Sequence, residues 1–257
     1  MQRKKRKICG RIYLYSKTAM FDSIKNKFQF KFKDRTYAAS ILAAALEDFL
    51  GKEKQRTKND NLTVLGIPRG GVIVADIVAT KLKASNFDIV IPRKLRIPHN
   101  EEAAFGAIMG DGIVYVDDRI VKALDISAEY IEQEKNFQLQ EIERRCTMYR
   151  IKETQQSLEN KINDHITILI DDGAASGATV IAAARSIRKA FNSNSNKLII
   201  GLPVVPKQTV DLLRREADHI EVITAPSSFF NSVGQYYQSF EPVNDEKVIE
   251  IMQNRNL

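Results

Sequence analysis

The chain is poor in the residues that build covalent staples and metal cages: 257 residues include two cysteines and three histidines. Cys9 and Cys146 lie far apart and without metal-ligand spacing, which argues against a disulfide framework or a zinc cluster. A reducing, cytoplasmic setting is expected. His99, His165 and His219 form no recognisable metal set. No apolar run approaches the roughly 20 residues that a membrane-spanning helix requires, and charges interrupt every candidate. Internal repeats are absent, and so is low-complexity sequence beyond the N-terminus.

Acids are missing from residues 1–19, which carry Arg3, Lys4, Lys5, Arg6, Lys7, Arg11 and Lys17. The formal charge of +7 therefore sits in that segment, and the rest of the chain is formally neutral. A nucleic-acid partner is thus not expected except through the basic N-terminus. That segment reads equally as a solvated extension, a contact for nucleic acid or anionic lipid, a targeting segment, or a stretch upstream of a start at Met20. Arg11 and Lys17 break its short apolar stretch, so a secretory signal is not expected. Residues 20–257 are expected to form one domain.

With 44% hydrophobic residues, that domain can fill a substantial core. From Asn61 onward, short β-rich runs alternate with helical patterns, the sign of an α/β domain with a mainly parallel sheet. Candidate strands are 61–67, 87–91, 112–118, 166–170, 197–204 and 219–225, several of them continuous apolar runs suited to burial on both faces. Segments 71–83, 178–191 and 207–217 read as crossover helices. Residues 127–150 read as one long amphipathic helix with Ile131, Leu139, Ile142, Cys146 and Tyr149 on its apolar face. Residues 32–53 read as a further helix, "SSFFNSVGQYYQSFEP" (227–242) as an aromatic loop, and 244–256 as a closing helix.

Chemistry concentrates where strands meet helices. "IDDGAASGAT" (170–179) ends an apolar strand in Asp171 and Asp172, then opens a helix through small residues. Free amides and the positive dipole end of a helix favour an anion there, while the carboxylates can hold a sugar diol or organise a magnesium-bound ligand. The segment is neither a Walker loop nor a dinucleotide fingerprint, and by itself it could be an ordinary capped turn. "GIPRGG" (66–71) supplies Arg69 for phosphate oxygens, with Gly70 and Gly71 permitting close backbone approach; alone it could equally be a tight turn. Between them, "PRKLRIPHNEEAAFGAIMGDG" (92–112) is a long charged connection of the kind that serves as a lid.

The run of four apolar residues, Asp-Asp, three residues and Ser-Gly-x-Thr before a helix resembles the phosphoribosyl pyrophosphate (PRPP) signature of type I phosphoribosyltransferases. The order of "LGIPRGG", "RKLRIPHNEEAAFGAI", "IDDGAASGAT", "GLPVVP" and "VGQYY" is similar to that in a group of predicted phosphoribosyltransferases. The resemblance implies an open, mainly parallel sheet flanked by helices (core about 61–225), with a small hood from about 226–243 and the N-terminal segment. It implies that Asp171 and Asp172 hold the ribose hydroxyls. Gly173, Ala174, Ala175, Ser176, Gly177, Ala178 and Thr179 would wrap the 5-phosphate, with Ser176 standing where Thr is more usual. Arg69, Gly70 and Gly71 would bind pyrophosphate in a loop that often has a non-proline cis peptide.

On the same resemblance a mobile lid covers PRPP, with Arg93 and Lys94 the candidates for pyrophosphate contact. Glu101 or Glu102 would move the proton, because Ala175 stands where members acting on 6-oxopurines carry an acid. That absence disfavours hypoxanthine and guanine. Phe229, Phe230, Tyr236 and Tyr237 either stack on an acceptor base or pack among themselves. Implied partners are PRPP and a small nitrogen acceptor, magnesium arriving with PRPP, and a second copy in a homodimer. A non-catalytic PRPP-sensing regulator, and phosphorolysis or hydrolysis of a ribose phosphate, are the alternatives.

Overall fold

Five of the expected strands lie side by side in one parallel sheet in this computed structural model, which describes residues 31–54, 61–149, 162, 166–191, 196–227 and 230–255. They are β1 (Leu62–Gly66), β2 (Asn86–Ile89), β6 (Ile166–Ile170), β7 (Lys197–Val204) and β8 (His219–Thr224), in the order β2-β1-β6-β7-β8. Each pairs parallel with its neighbour; Val64 of β1, for example, lies between Phe87 and Ile168. The central strands are apolar on both faces because both are covered. On one face α1 (Arg35–Lys54) and α2 (Gly70–Leu82) set Leu42, Leu46, Val74 and Val78 against Val64, Ile168 and Ile199. On the other, α5 (Ala178–Ala190) and α6 (Lys207–Leu213) bring Val180, Ile181, Ile187 and Leu213 against Leu65, Leu169 and Ile200.

Two expectations need correction. The 92–112 connection is not a loop: it contains the hairpin strands β3 (Arg93–Ile97) and β4 (Asn100–Ile108). The strand expected over 112–118 is β5 (Val114–Val116), which pairs antiparallel with β4 instead of joining the main sheet. The cause is amphipathic alternation. Leu95 and Phe105 turn inward while Lys94 stays exposed, so a charged segment can still pair as strands with one face buried.

This second sheet packs with α3 (Asp118–Ala123), α4 (Ala128–Tyr149) and the C-terminal α7 (Asp245–Arg255) in a separate apolar cluster. The five apolar positions read on the 127–150 helix all belong to it. Residues 32–33 and 236–239 are laced together by a Phe32–Tyr237 bridge, and Phe32 donates to the Tyr236 carbonyl at 2.8 Å while Gln238 donates to that of Phe32 at 2.7 Å. The described part from Phe32 onward belongs to one compact unit. The basic residues 1–19, His165 and Phe229 lie outside the described residues. No helix among the described residues is long and apolar enough to cross a membrane.

Candidate functional site

From β1 the chain crosses over to β2 on one side, and from β6 to β7 on the other, so the strand order reverses between the adjacent strands β1 and β6. In open α/β sheets the crevice at the carboxyl ends of two such strands is where ligands bind. The loop after β1 is Ile67–Arg69 leading into α2; the loop after β6 is Asp171–Gly177 leading into α5. Two segments about 100 residues apart in sequence thereby meet.

They meet closely. A Cβ on Gly70 would lie 1.9 Å from Asp172 Oδ2, and one on Gly71 would lie 2.6 Å from Asp171 Oδ1 and 2.7 Å from the Asp171 Cα. Only glycine lets this backbone pass directly over the two carboxylates. The Pro68–Arg69 peptide is cis, as the resemblance implies for this loop. Arg69 precedes α2, its guanidinium 3.8 Å from Asp245 at the start of α7.

The two carboxylates are not equivalent. Asp172 Oδ2 accepts from Arg35 Nε at 2.7 Å, with the two side chains only 14% and 11% exposed. Burial pushes the Asp172 carboxyl up, and Arg35 pulls it back. Burial and the neighbouring Asp172 charge push the Asp171 carboxyl well above the ordinary range, with Lys94 acting in the opposite sense. The site therefore holds carboxylates short of compensation, an environment that favours incoming hydroxyl donors or cations.

Beyond the acids, Ala174 donates to the Val204 carbonyl at 3.0 Å and Thr209 Oγ1 to the Ala175 carbonyl at 2.7 Å, fixing the loop from β7 and α6. Ala175 and Ser176 are exposed, Thr179 is half-buried, and Gly177 (φ 78°) leads into α5 at Ala178. Ile181 donates to the Gly177 carbonyl at 2.8 Å as α5 begins. The amides of the preceding turn lie where no helical carbonyl reaches them, at the positive end of the dipole.

The structure thus gathers Arg69, Gly70, Gly71, Asp171 and Asp172 at one crevice, with the Lys94 charge acting on Asp171. Arg93 is placed elsewhere. Its Nε donates to Gln138 Oε1 of α4 at 3.0 Å, because successive residues of a strand face opposite ways. Gln138 in turn donates to Glu134 Oε1 at 2.8 Å, and Glu134 accepts from Arg96 Nε at 2.9 Å. Glu101 and Glu102 lie on β4 beside the hairpin turn, and their side chains are outside what the structure describes. Tyr236 and Tyr237 are buried in an aromatic cluster with Phe32; Phe230 stacks on Tyr236 at 5.3 Å.

Sequence reasoning missed two neighbours of the acid pair. Arg35 holds Asp172 from the first turn of α1, and Tyr237 donates its hydroxyl to the Asp172 carbonyl at 2.6 Å. The available signal was a cation in the first turn of a helix, a place the dipole disfavours, although Asp34 just ahead of it caps the helix and supplies a local counter-charge.

Comparison with known proteins agrees with this geometry. The family profile described as "Phosphoribosyl transferase domain" matches residues 35–238. Two Mycobacterium tuberculosis proteins, from strains CDC 1551 and H37Rv, are each 33% identical over 221 residues, covering 86% of this chain and 46% of theirs; both carry the name "Putative phosphoribosyl transferase". The chain spans about half the length of these curated relatives. The crystal structure of TT1426 from Thermus thermophilus superposes with a TM-score of 0.64 at 29% identity, covering 88% of this chain and 99% of that one. The chain belongs to the phosphoribosyl transferase domain family.

Proposed function

We propose that the protein transfers the phosphoribosyl group of PRPP to a small nitrogen acceptor and releases pyrophosphate. One observation carries this reading: Gly70 and Gly71 pack directly against the carboxylates of Asp172 and Asp171, so an anion-suited loop and a diol-suited acid pair share one crevice.

In this reading Asp171 and Asp172 accept from the ribose hydroxyls, and the loop amides beyond Ala174, whose own N–H is engaged by Val204, hold the 5-phosphate together with the α5 dipole. Arg69, the Gly70 and Gly71 backbone, and Lys94 receive the pyrophosphate. The acceptor nitrogen forms its bond to C1 as the C1–oxygen bond breaks, the bonding pair leaving with pyrophosphate. The acceptor's proton passes to a base, for which Glu101 and Glu102 are the candidates. Catalysis would come mainly from positioning and from cationic and amide groups aimed at the departing charge. Magnesium fits the donor set: carboxylate oxygens are the hard ligands it prefers, and the described residues offer no group of three or more His, Cys, Asp or Glu, so ligand phosphates would complete its shell. When bound it would offset charge on the pyrophosphate. Ala175 leaves 6-oxopurines disfavoured, with adenine, pyrimidines and amines as candidate acceptors.

Calorimetric titration with PRPP and magnesium, followed by a nitrogen-acceptor screen scored by pyrophosphate release, tests the proposal. No binding at millimolar PRPP sinks it. The engagement of Arg93 with Gln138 favours one second reading, a PRPP sensor without turnover. That reading requires PRPP binding with no pyrophosphate release across the whole acceptor screen.

A further inference from the structure

We propose that Arg35 is the positioning residue of this site: it fixes one orientation of Asp172 and ties it to the aromatic segment 236–241, so that the acid and the segment above it move together. The proposal rests on the PRPP reading only for which ligand feels that orientation.

The Arg35 guanidinium is used on three sides. Nε donates to Asp172 Oδ2 at 2.7 Å, Nη1 donates to the Glu241 carbonyl at 2.8 Å, and the planar group lies 3.8 Å from the centroid of the Phe240 ring. Phe240 packs on Tyr237 at 4.8 Å between centroids, and Tyr237 returns to the acid through its hydroxyl bond to the Asp172 carbonyl. A closed circuit results: Asp172, Arg35, Phe240, Tyr237 and back to Asp172. Gly70 lies over the same point, since a Cβ there would sit 2.8 Å from Arg35 Nε as well as 1.9 Å from Asp172 Oδ2.

A structural ion pair alone would need a cation and little else. This geometry needs a flat fork that donates in two directions and presents a face to a ring, which lysine cannot supply. The cation also sits at the wrong end of α1 for helix stability, so its placement serves Asp172 and the 240–241 segment instead.

Two measurements test the proposal on the full chain. The first needs no ligand: the double-mutant cycle between Asp172→Asn and Phe240→Leu, read from denaturant midpoints, should show a coupling of about fivefold in the folding constant. The coupling should vanish in an Arg35→Met background; coupling that is absent in wild type, or that persists in Arg35→Met, overturns the proposal. The second is PRPP titration of Arg35→Lys, which keeps the charge. Affinity should fall at least tenfold while the melting temperature stays within a few degrees of wild type. Wild-type affinity in Arg35→Lys overturns the positioning role and leaves the PRPP reading standing. If wild type itself fails to bind PRPP, that reading falls, and the coupling cycle alone decides the role of Arg35.

Discussion

Replacing Gly70 with alanine puts a methyl group where the structure has a carboxylate. The new Cβ would lie 1.9 Å from Asp172 Oδ2, whereas ordinary contact begins near 3.4 Å, so the oxygen must move by about 1.5 Å. Added to its 2.7 Å bond to Arg35, that displacement exceeds the N–H···O range of up to about 3.2 Å. Arg35 Nε, 2.8 Å from the new Cβ, is pushed as well. Both obstacles are ends of side chains, so the backbone can stay in place and the damage falls on the ion pair. Breaking a buried pair costs about 3–5 kcal/mol, and the remaining exposure of this one brings the expectation down to about 2 kcal/mol. For a domain of this size that lowers the melting temperature by about 4–8 °C. On the proposed function, a misdirected charged acceptor should also weaken PRPP binding by roughly 10–100-fold. Differential scanning calorimetry and titration calorimetry read the two effects. Gly71→Ala should be worse, because its Cβ meets the Asp171 Cα at 2.7 Å and the Ile170 carbonyl at 3.1 Å, which are backbone. A Gly70→Ala protein with wild-type melting and wild-type affinity would refute the reasoning.

Asp171→Asn should melt higher than wild type at pH 8 while losing PRPP affinity. The folded-state carboxyl titrates above its unfolded value, so its ionisation penalises folding increasingly as pH rises through that value and not at all below the unfolded pKa near ~3.9. The gain should therefore shrink by pH 4.5; a variant less stable than wild type at pH 8 contradicts it. Glu141 is the opposite case, its carboxyl held down to about 2, chiefly by the hydrogen bond from Arg144. Its contribution is present above the unfolded value near ~4.3 and is lost as pH falls toward about 2. Urea midpoints of Glu141→Gln and wild type should differ by at most about 1 kcal/mol at pH 7 and converge toward pH 2; a gap independent of pH counts against the pairing. Gly51→Ala, in α1 with nothing within 4 Å of the new methyl, should add about 1 kcal/mol through helix propensity and raise the melting temperature by about 2–4 °C. A lower melting temperature would show a contact the structure lacks.

The parallel sheet was legible because strands such as "ITILI" and "KLIIGLPV" are buried on both faces and read as continuous apolar runs. The hairpin was not. Its strands bury one face and carry charges on the other, and its turn takes a left-handed residue from His99 (φ 61°) in place of the Asn-Gly that usually announces a tight hairpin. The acid pair was readable because its residues are contiguous and end a strand. Arg35, 137 positions from Asp172, was invisible because a salt bridge across the fold leaves no local periodicity.

The direct pairing of β1 with β6 has a consequence for how such a chain can diversify. The chain leaves the sheet after β2 and re-enters it at β6, and β1 lies between these two strands and pairs with both, so the connection is an excursion whose two ends are held by one shared neighbour. Each doubling of such an excursion adds only about 0.6 kcal/mol of closure entropy. The hairpin and α4 can therefore be lengthened, trimmed or exchanged while the crevice between β1 and β6 keeps its spacing. New selectivity can be written into the excursion without rebuilding the loops that follow β1 and β6.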